Sequence, residues 1–130
     1  MFVGHLAAGL GAKKLVPEMP LWAGIGAAFG VDLTWSVFLL AGLEVVQVAP
    51  GATAFTSLDF VSYPWTHSLL FVVVWSLVVV LVAHRIFKSG WIAVLLGALV
   101  LSHRVLDAIT HRPDLPLWPG GPVVGLGLWY

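Results

Sequence analysis

Long unbroken apolar blocks alternate with short polar joints along this chain. Residues 2–15 form a short apolar block that ends in Lys13-Lys14. At about 1.5 Å per residue it falls short of a hydrocarbon core of roughly 30 Å, so a half-spanning or re-entrant helix is expected. Pro17 and Pro20 then interrupt the chain. Residues 21–43 are predicted as a full-length span holding one acid, Asp32. Residues 44–63 read as a polar connection, with Pro50-Gly51, Thr53, Thr56, Ser57 and Asp59. Residues 64–87 are the clearest span, and Pro64 suits the first turn of a helix. The β-branched content of that block would also suit a buried strand, but its length decides for a membrane helix. Ser89-Gly90 marks a tight turn, and residues 91–111 form the last long helix. That helix is apolar at first and polar later, at Ser102-His103-Arg104 and Asp107. Residues 112–130 are rich in Pro and Gly and predict a rigid loop. No internal repeat is visible. The expected fold is a single all-α domain over residues 1–130. It is a polytopic membrane bundle of three long helices with an N-terminal half-helix and a C-terminal loop.

Composition supports lipid as the solvent. Hydrophobic residues make up 60% of the chain, charged residues 9%, and mean hydropathy is +1.02. Soluble domains carry about 25% charged residues, so this chain has too few to clothe a soluble surface. Formal net charge is zero, and no Lys/Arg cluster points to nucleic acid. There are no cysteines, which excludes disulfides, thiolate nucleophiles and thiolate metal sites. The N-terminus lacks the basic n-region of a cleavable signal peptide, so the first long helices are expected to direct insertion. Lys13 and Lys14 precede the second helix, and Arg85 and Lys88 follow the third. Both pairs fall on one side if the spans between them form a hairpin, and the positive-inside rule makes that side cytoplasmic. Trp22, Trp65, Trp91, Trp118 and Trp129 suit an interfacial belt, while Trp75 falls within a span and suits packing.

The ionisable residues that remain inside the apolar blocks are costly there, and such groups usually face the bundle interior with a function. They are His5, Asp32, His67, His103 and Asp107, with His111 as an extension. Counted from the basic side, His5 lies roughly 14 Å deep, Asp32 and His103 roughly 18 Å, Asp107 roughly 24 Å and His67 roughly 26 Å. Four segments thus place a His or Asp in the outer half of the bilayer. His103 and Asp107 share a helix face at i, i+4 and form a natural two-ligand clamp, which His111 prolongs. Imidazole nitrogen with carboxylate oxygen suits zinc and other divalent first-row metals. Local alternatives exist for single residues: Asp32 with Thr34 or Ser36, and Asp107 with Arg104. His84, beside Arg85, reads as interfacial, and Arg112 with Asp114 as loop electrostatics.

Thr66-His67-Ser68 at the start of a membrane helix, followed by His103-x-x-Leu106-Asp107-x-x-Thr110, resembles the bacterial inner-membrane family called membrane-bound metal-dependent hydrolases. The early His5, the mid-helix Asp32, the run His111-Arg112-Pro113-Asp114-Leu115-Pro116 and the stretch Gly125-Leu126-Gly127-Leu128-Trp129 fit the same pattern, so the resemblance covers nearly the whole chain. The family is thought to be distantly similar to zinc-dependent phospholipase C. The resemblance implies His5, Asp32, His67, His103 and Asp107 as ligands of a divalent metal, and His111 as an additional candidate. It also implies a multi-pass location in the bacterial inner membrane. The chain departs from the pattern in two respects, the first being that many members carry His-Arg-Gly before Thr-His-Ser, whereas Tyr63-Pro64-Trp65 stands here. Members commonly continue into further helices, which leaves room here for a second copy or a partner membrane chain.

The leading expectation is a hydrolase in which metal-activated water attacks an ester or phosphodiester, with a lipid-borne substrate. Asp32 or Asp107 would serve as general base. Thr66, Ser68 and Arg104 would contact a phosphoryl or carbonyl oxygen. Two other classes fit the same residues. One is an ion- or proton-coupled transporter, since intramembrane His/Asp chains serve as relays. The other is a structural membrane protein stapled by a metal whose every position is filled by protein.

Overall fold

A computed structural model describes residues 2–128. Four helices form the bundle: α1 (Phe2–Leu15), α2 (Leu21–Leu40), α4 (Leu69–Phe87) and α5 (Gly90–Thr110). A four-residue helix, α3 (Pro64–His67), precedes α4. α2, α4 and α5 are 20, 19 and 21 residues long and apolar enough to cross a membrane. The chain is therefore a multi-pass, mostly helical membrane protein. α4 shows why. Of its residues only Val72, Ser76 and Ala83 are buried, and Leu77, Val78, Leu81, Val82 and Ile86 face outward. A β-branched run that exposes this much hydrocarbon holds as a helix in lipid, because every backbone group must bond within the segment.

α5 is the central element and packs on α4, α2 and α1. Its buried stripe runs Ile92, Leu96, Leu99–Val100, His103, Asp107 and Thr110, at helical spacing. One face thus provides packing at its start and ionisable groups at its end. Small residues set the close crossings. Ser76 Oγ donates to the Gly97 carbonyl at 2.9 Å, and a methyl group at Gly97 would collide with Val80 and Ser76. A methyl at Gly9 would lie 3.0 Å from the Gly24 carbonyl oxygen and from Ile25 Cα. That contact presses α1 onto α2.

The 14 residues of α1 match the expected half-span. Trp22 packs 6.0 Å from Phe87, which puts the start of α2 beside the end of α4. Lys13, Lys14, Arg85 and Lys88 therefore share one end of the bundle. The turn into α5 uses Lys88 in the left-handed conformation (φ 52°), with Ser89 as the N-cap that accepts from Ile92 N–H.

Three stretches differ from expectation. The 44–63 connection contains an antiparallel hairpin of β1 (Val45–Val48) and β2 (Leu58–Ser62), its tip held by Thr53 Oγ1, which accepts from Phe55 and Thr56 N–H. The 64–87 span is not continuous. Ser68 is extended (ψ 149°), so α3 ends and α4 begins there, with Ser68 Oγ accepting from Phe71 N–H. The freed Trp65 carbonyl accepts from Trp75 Nε1, and Leu70 N–H donates to the Leu117 carbonyl. The C-terminal loop carries a small ladder, β3 (Leu115–Pro116) with β4 (Val123–Val124). Leu126, Gly127 and Leu128 N–H donate to the carbonyls of Ala108, His111 and Ile109 and so cap the end of α5. Trp129 lies outside the described residues.

Candidate metal centre

Four segments deliver the ionisable groups. His5 sits one turn before Gly9 on α1, and the Gly9–Gly24 crossing brings it across α2. Its ring stacks on His103 at 3.7 Å with planes 10° apart. Asp32 comes from α2, His67 from the last position of α3, and His103 with Asp107 from adjacent turns of α5. All five sequence candidates converge. His5 Nε2 lies 3.1 Å from Asp107 Oδ1 and 4.0 Å from Asp32 Oδ2. His103 Nε2 lies 3.1 Å from Asp107 Oδ2 and 3.6 Å from Asp32 Oδ1. His67 Nε2 lies 3.5 Å from Asp32 Oδ1 and 3.9 Å from Asp107 Oδ2.

These groups suit a metal. Ligand atoms about 2.0–2.1 Å from a tetrahedral ion stand about 3.4 Å apart, close to the spacings above. Two triads have their ligand atoms within 4.8 Å of one another: His5, His103 and Asp107, and Asp32, His67 and His103. The hydrogen-bond chemistry points the same way. His103 Nδ1 lies 3.0 Å from the Ala28 carbonyl, which can only accept. Nδ1 therefore carries the proton, and a neutral ring turns its Nε2 lone pair toward two carboxylates. His103 Nε2 and Asp32 Oδ2 are buried and make no hydrogen bond among the described residues. A divalent cation would turn these facing lone pairs from a repulsion into a ligand set.

The centre borders a cavity of about 380 Å³. Asp32, His67 and Asp107 form its polar wall; Val3, Trp35, Phe55, Leu58 and Phe60 form an apolar one. His111 lines the cavity too, but neither triad includes it. The Asp114 carboxylate takes its Nδ1 at 3.3 Å, and its ring lies 5.1 Å from Phe60.

The expected substrate contacts are placed elsewhere. Thr66 is fully buried, its hydroxyl 2.8 Å from Glu44 and 2.7 Å from His67 Nδ1. Ser68 is buried as the cap of α4. Arg104 is buried and donates to the Leu115 and Pro116 carbonyls, which tie the C-terminal loop to α5. Thr34 and Ser36 bond helix carbonyls rather than the Asp32 carboxylate. Glu44 was hidden in the sequence, because its partners lie 21 and 22 residues away.

Beside the cavity, Asp114 gathers Tyr63 Oη at 2.7 Å and Arg112 Nε at 3.1 Å, and Arg112 also pairs with Asp59. Burial works to raise the Asp114 carboxyl, but bonds from His111, Tyr63 and Arg112 outweigh it and hold it below its ordinary 3.8. A depressed carboxyl stabilises the fold above its ordinary value, and that contribution is lost as pH falls through the depressed one. Asp114→Asn is thus expected to lower stability by about 1–3 kcal/mol at neutral pH. Thermal melts in detergent at pH 7 and at pH 3 check this: the gap from wild type should be present at pH 7 and narrow at pH 3. A gap that stays constant between the two would contradict it.

No protein-family model, curated protein or solved structure matches the chain.

Proposed function

We propose that this chain is a metal-dependent hydrolase of a bacterial inner membrane, acting on an ester or phosphodiester within an amphiphile. The observation that carries this reading is the meeting of three imidazoles and two carboxylates, of which Asp32, His67 and Asp107 reach a largely apolar cavity. The resemblance of Thr66-His67-Ser68 and His103-x-x-Leu106-Asp107-x-x-Thr110 to the membrane-bound metal-dependent hydrolases supports it.

His5, His103 and Asp107, with Asp32 and His67, would hold the ion, which zinc suits best by donor type. When bound, such an ion supplies Lewis acidity toward the scissile group and toward water. Asp32 is the most exposed of the five side chains, at 14%. It faces the cavity and is the carboxylate placed to take a proton from incoming water. Asp107, at 2%, is held between His5 and His103 and serves as a ligand rather than as a base. Trp35, Phe55 and Phe60 offer hydrocarbon and ring faces to the apolar part of the substrate. His111, oriented by Asp114, stands where the polar part would emerge. The basic end, with Lys13, Lys14, Arg85 and Lys88, would be cytoplasmic, and the site would open in the outer half of the membrane. The open cavity favours this reading over a structural staple, whose ligand positions would all be closed by protein.

The test uses protein purified in detergent, stripped with chelator and then supplied with zinc. Micellar phosphodiesters and carboxylic esters are offered as substrates. Hydrolysis of one class should be lost on stripping and return by about tenfold or more with zinc. A zinc-replete protein that hydrolyses neither class would overturn the enzymatic reading.

A further inference from the structure

Glu44 carries a buried carboxylate outside the candidate ligand set. It stands between α2 and β1 and is 2% exposed. Its Oε1 accepts the backbone N–H of Trp65 at 2.8 Å and of Thr66 at 2.9 Å. Its Oε2 lies 2.8 Å from Thr66 Oγ1, and that hydroxyl lies 2.7 Å from His67 Nδ1. Thr66 has one proton to donate. A carboxylate at Glu44 can only accept, so the hydroxyl proton goes to Oε2. The hydroxyl oxygen then accepts from His67 Nδ1–H. A neutral His67 must therefore carry its lone pair on Nε2, the atom that faces Asp32 at 3.5 Å and Asp107 at 3.9 Å.

We propose that Glu44, acting through Thr66, fixes the tautomer of His67 and so makes its Nε2 a ligand nitrogen. Glu44 is a positioning residue that touches neither metal nor substrate. Carboxylates that bond directly to the far nitrogen of a ligand imidazole do the same work in other metal sites. Here a hydroxyl is inserted between the two groups. The ligand role of His67 rests on the metal reading above; its tautomer does not.

Glu44 also holds the first turn of α3, and the substitutions separate the two roles. Glu44→Gln keeps an oxygen for both backbone N–H groups but sets an amide N–H₂ against Thr66 Oγ1. The hydroxyl must then donate to His67 Nδ1, and the ring proton moves to Nε2. The turn survives while the tautomer inverts. Thr66→Ser retains the whole chain, and Thr66→Val cuts it in the middle.

The experiment is nitrogen NMR on metal-free protein with labelled histidine, in detergent at alkaline pH, with His67 assigned from His67→Gln. Zinc titration and thermal melts accompany it. Wild type and Thr66→Ser should show the Nδ1–H form of His67. Glu44→Gln should show the Nε2–H form, with its melt unchanged and its zinc affinity lower by about 10- to 100-fold. Thr66→Val should lose the strong preference for Nδ1–H. A wild-type His67 in the Nε2–H form overturns the proposal, and so does a Glu44→Gln variant with wild-type tautomer and zinc affinity. If the tautomer switches but wild type binds no zinc, the relay stands and the metal reading falls. If zinc binds and the tautomer ignores Glu44, the metal reading stands and the relay falls.

Discussion

On the metal reading proposed above, Asp107→Asn is expected to yield purified protein without bound metal. Asp107 is the hub of the cluster, with Oδ1 3.1 Å from His5 Nε2 and Oδ2 3.1 Å from His103 Nε2. It is 1% exposed. Asparagine keeps the shape but removes the charge, and its amide nitrogen turns a donor toward imidazole lone pairs. Three neutral imidazoles with one carboxylate make a much weaker site for a divalent ion. Metal content after gel filtration in detergent should fall by about tenfold or more, since even outer partners of ligands are worth 10- to 100-fold. His103→Ala should do the same, because it removes the nitrogen that both triads share. His84→Ala, on the last turn of α4 away from the cluster, serves as control and should keep its metal. Wild-type metal content in Asp107→Asn would sink the ligand assignment.

The second large effect is expected from a residue that meets no ligand. A side chain at Gly9 would meet the Gly24 carbonyl oxygen and Ile25 Cα, both at 3.0 Å. These are backbone atoms and cannot rotate aside, so Gly9→Val must lift α1 off α2. Overpacking of this kind costs about 1–3 kcal/mol. The displacement acts one turn from His5 and pulls its Nε2 away from Asp107. Zinc affinity should drop by about tenfold or more while helicity is retained. Gly11 is the internal control, because a side chain there meets nothing within 4 Å. Equal zinc affinity in Gly9→Val and Gly11→Val would show that the crossing does not position His5.

The three spans and the short first helix were legible because apolar length is decisive in a bilayer. The His103–Asp107 pair was legible because helix geometry fixes its spacing. His5, Asp32 and His67 were legible for a thermodynamic reason: ionisable groups in apolar blocks need partners. The hairpin was not, since the alternation in Val45–Val48 is short and its partner strand lies across nine intervening residues. The break at Ser68 was masked by the apolar run after it, although a serine at a helix start is a capping signal. The sequence pattern alone suggests Ser68, Thr66 and Arg104 as substrate contacts, whereas in the structure Ser68 caps α4, Thr66 bonds Glu44 and Arg104 bonds loop carbonyls. In each case a polar side chain near a site turned out to bond protein. Glu44 had no local signal at all, because its meaning lies in a pairing across the hairpin.

The spread of the cluster along the chain has a consequence for biosynthesis. Its first group is at residue 5 and its last at residue 107. A nascent chain that has inserted α1 and α2 owns two facing groups, His5 and Asp32, and a third only when His67 follows. The shared nitrogen and the hub oxygens arrive with the final helix. The growing chain is therefore a poor metal trap at every stage but the last. If the cluster holds an ion as proposed, loading would be a late event, after the helices have packed, and the order of translation would keep the unfinished protein from capturing an ion in the wrong place.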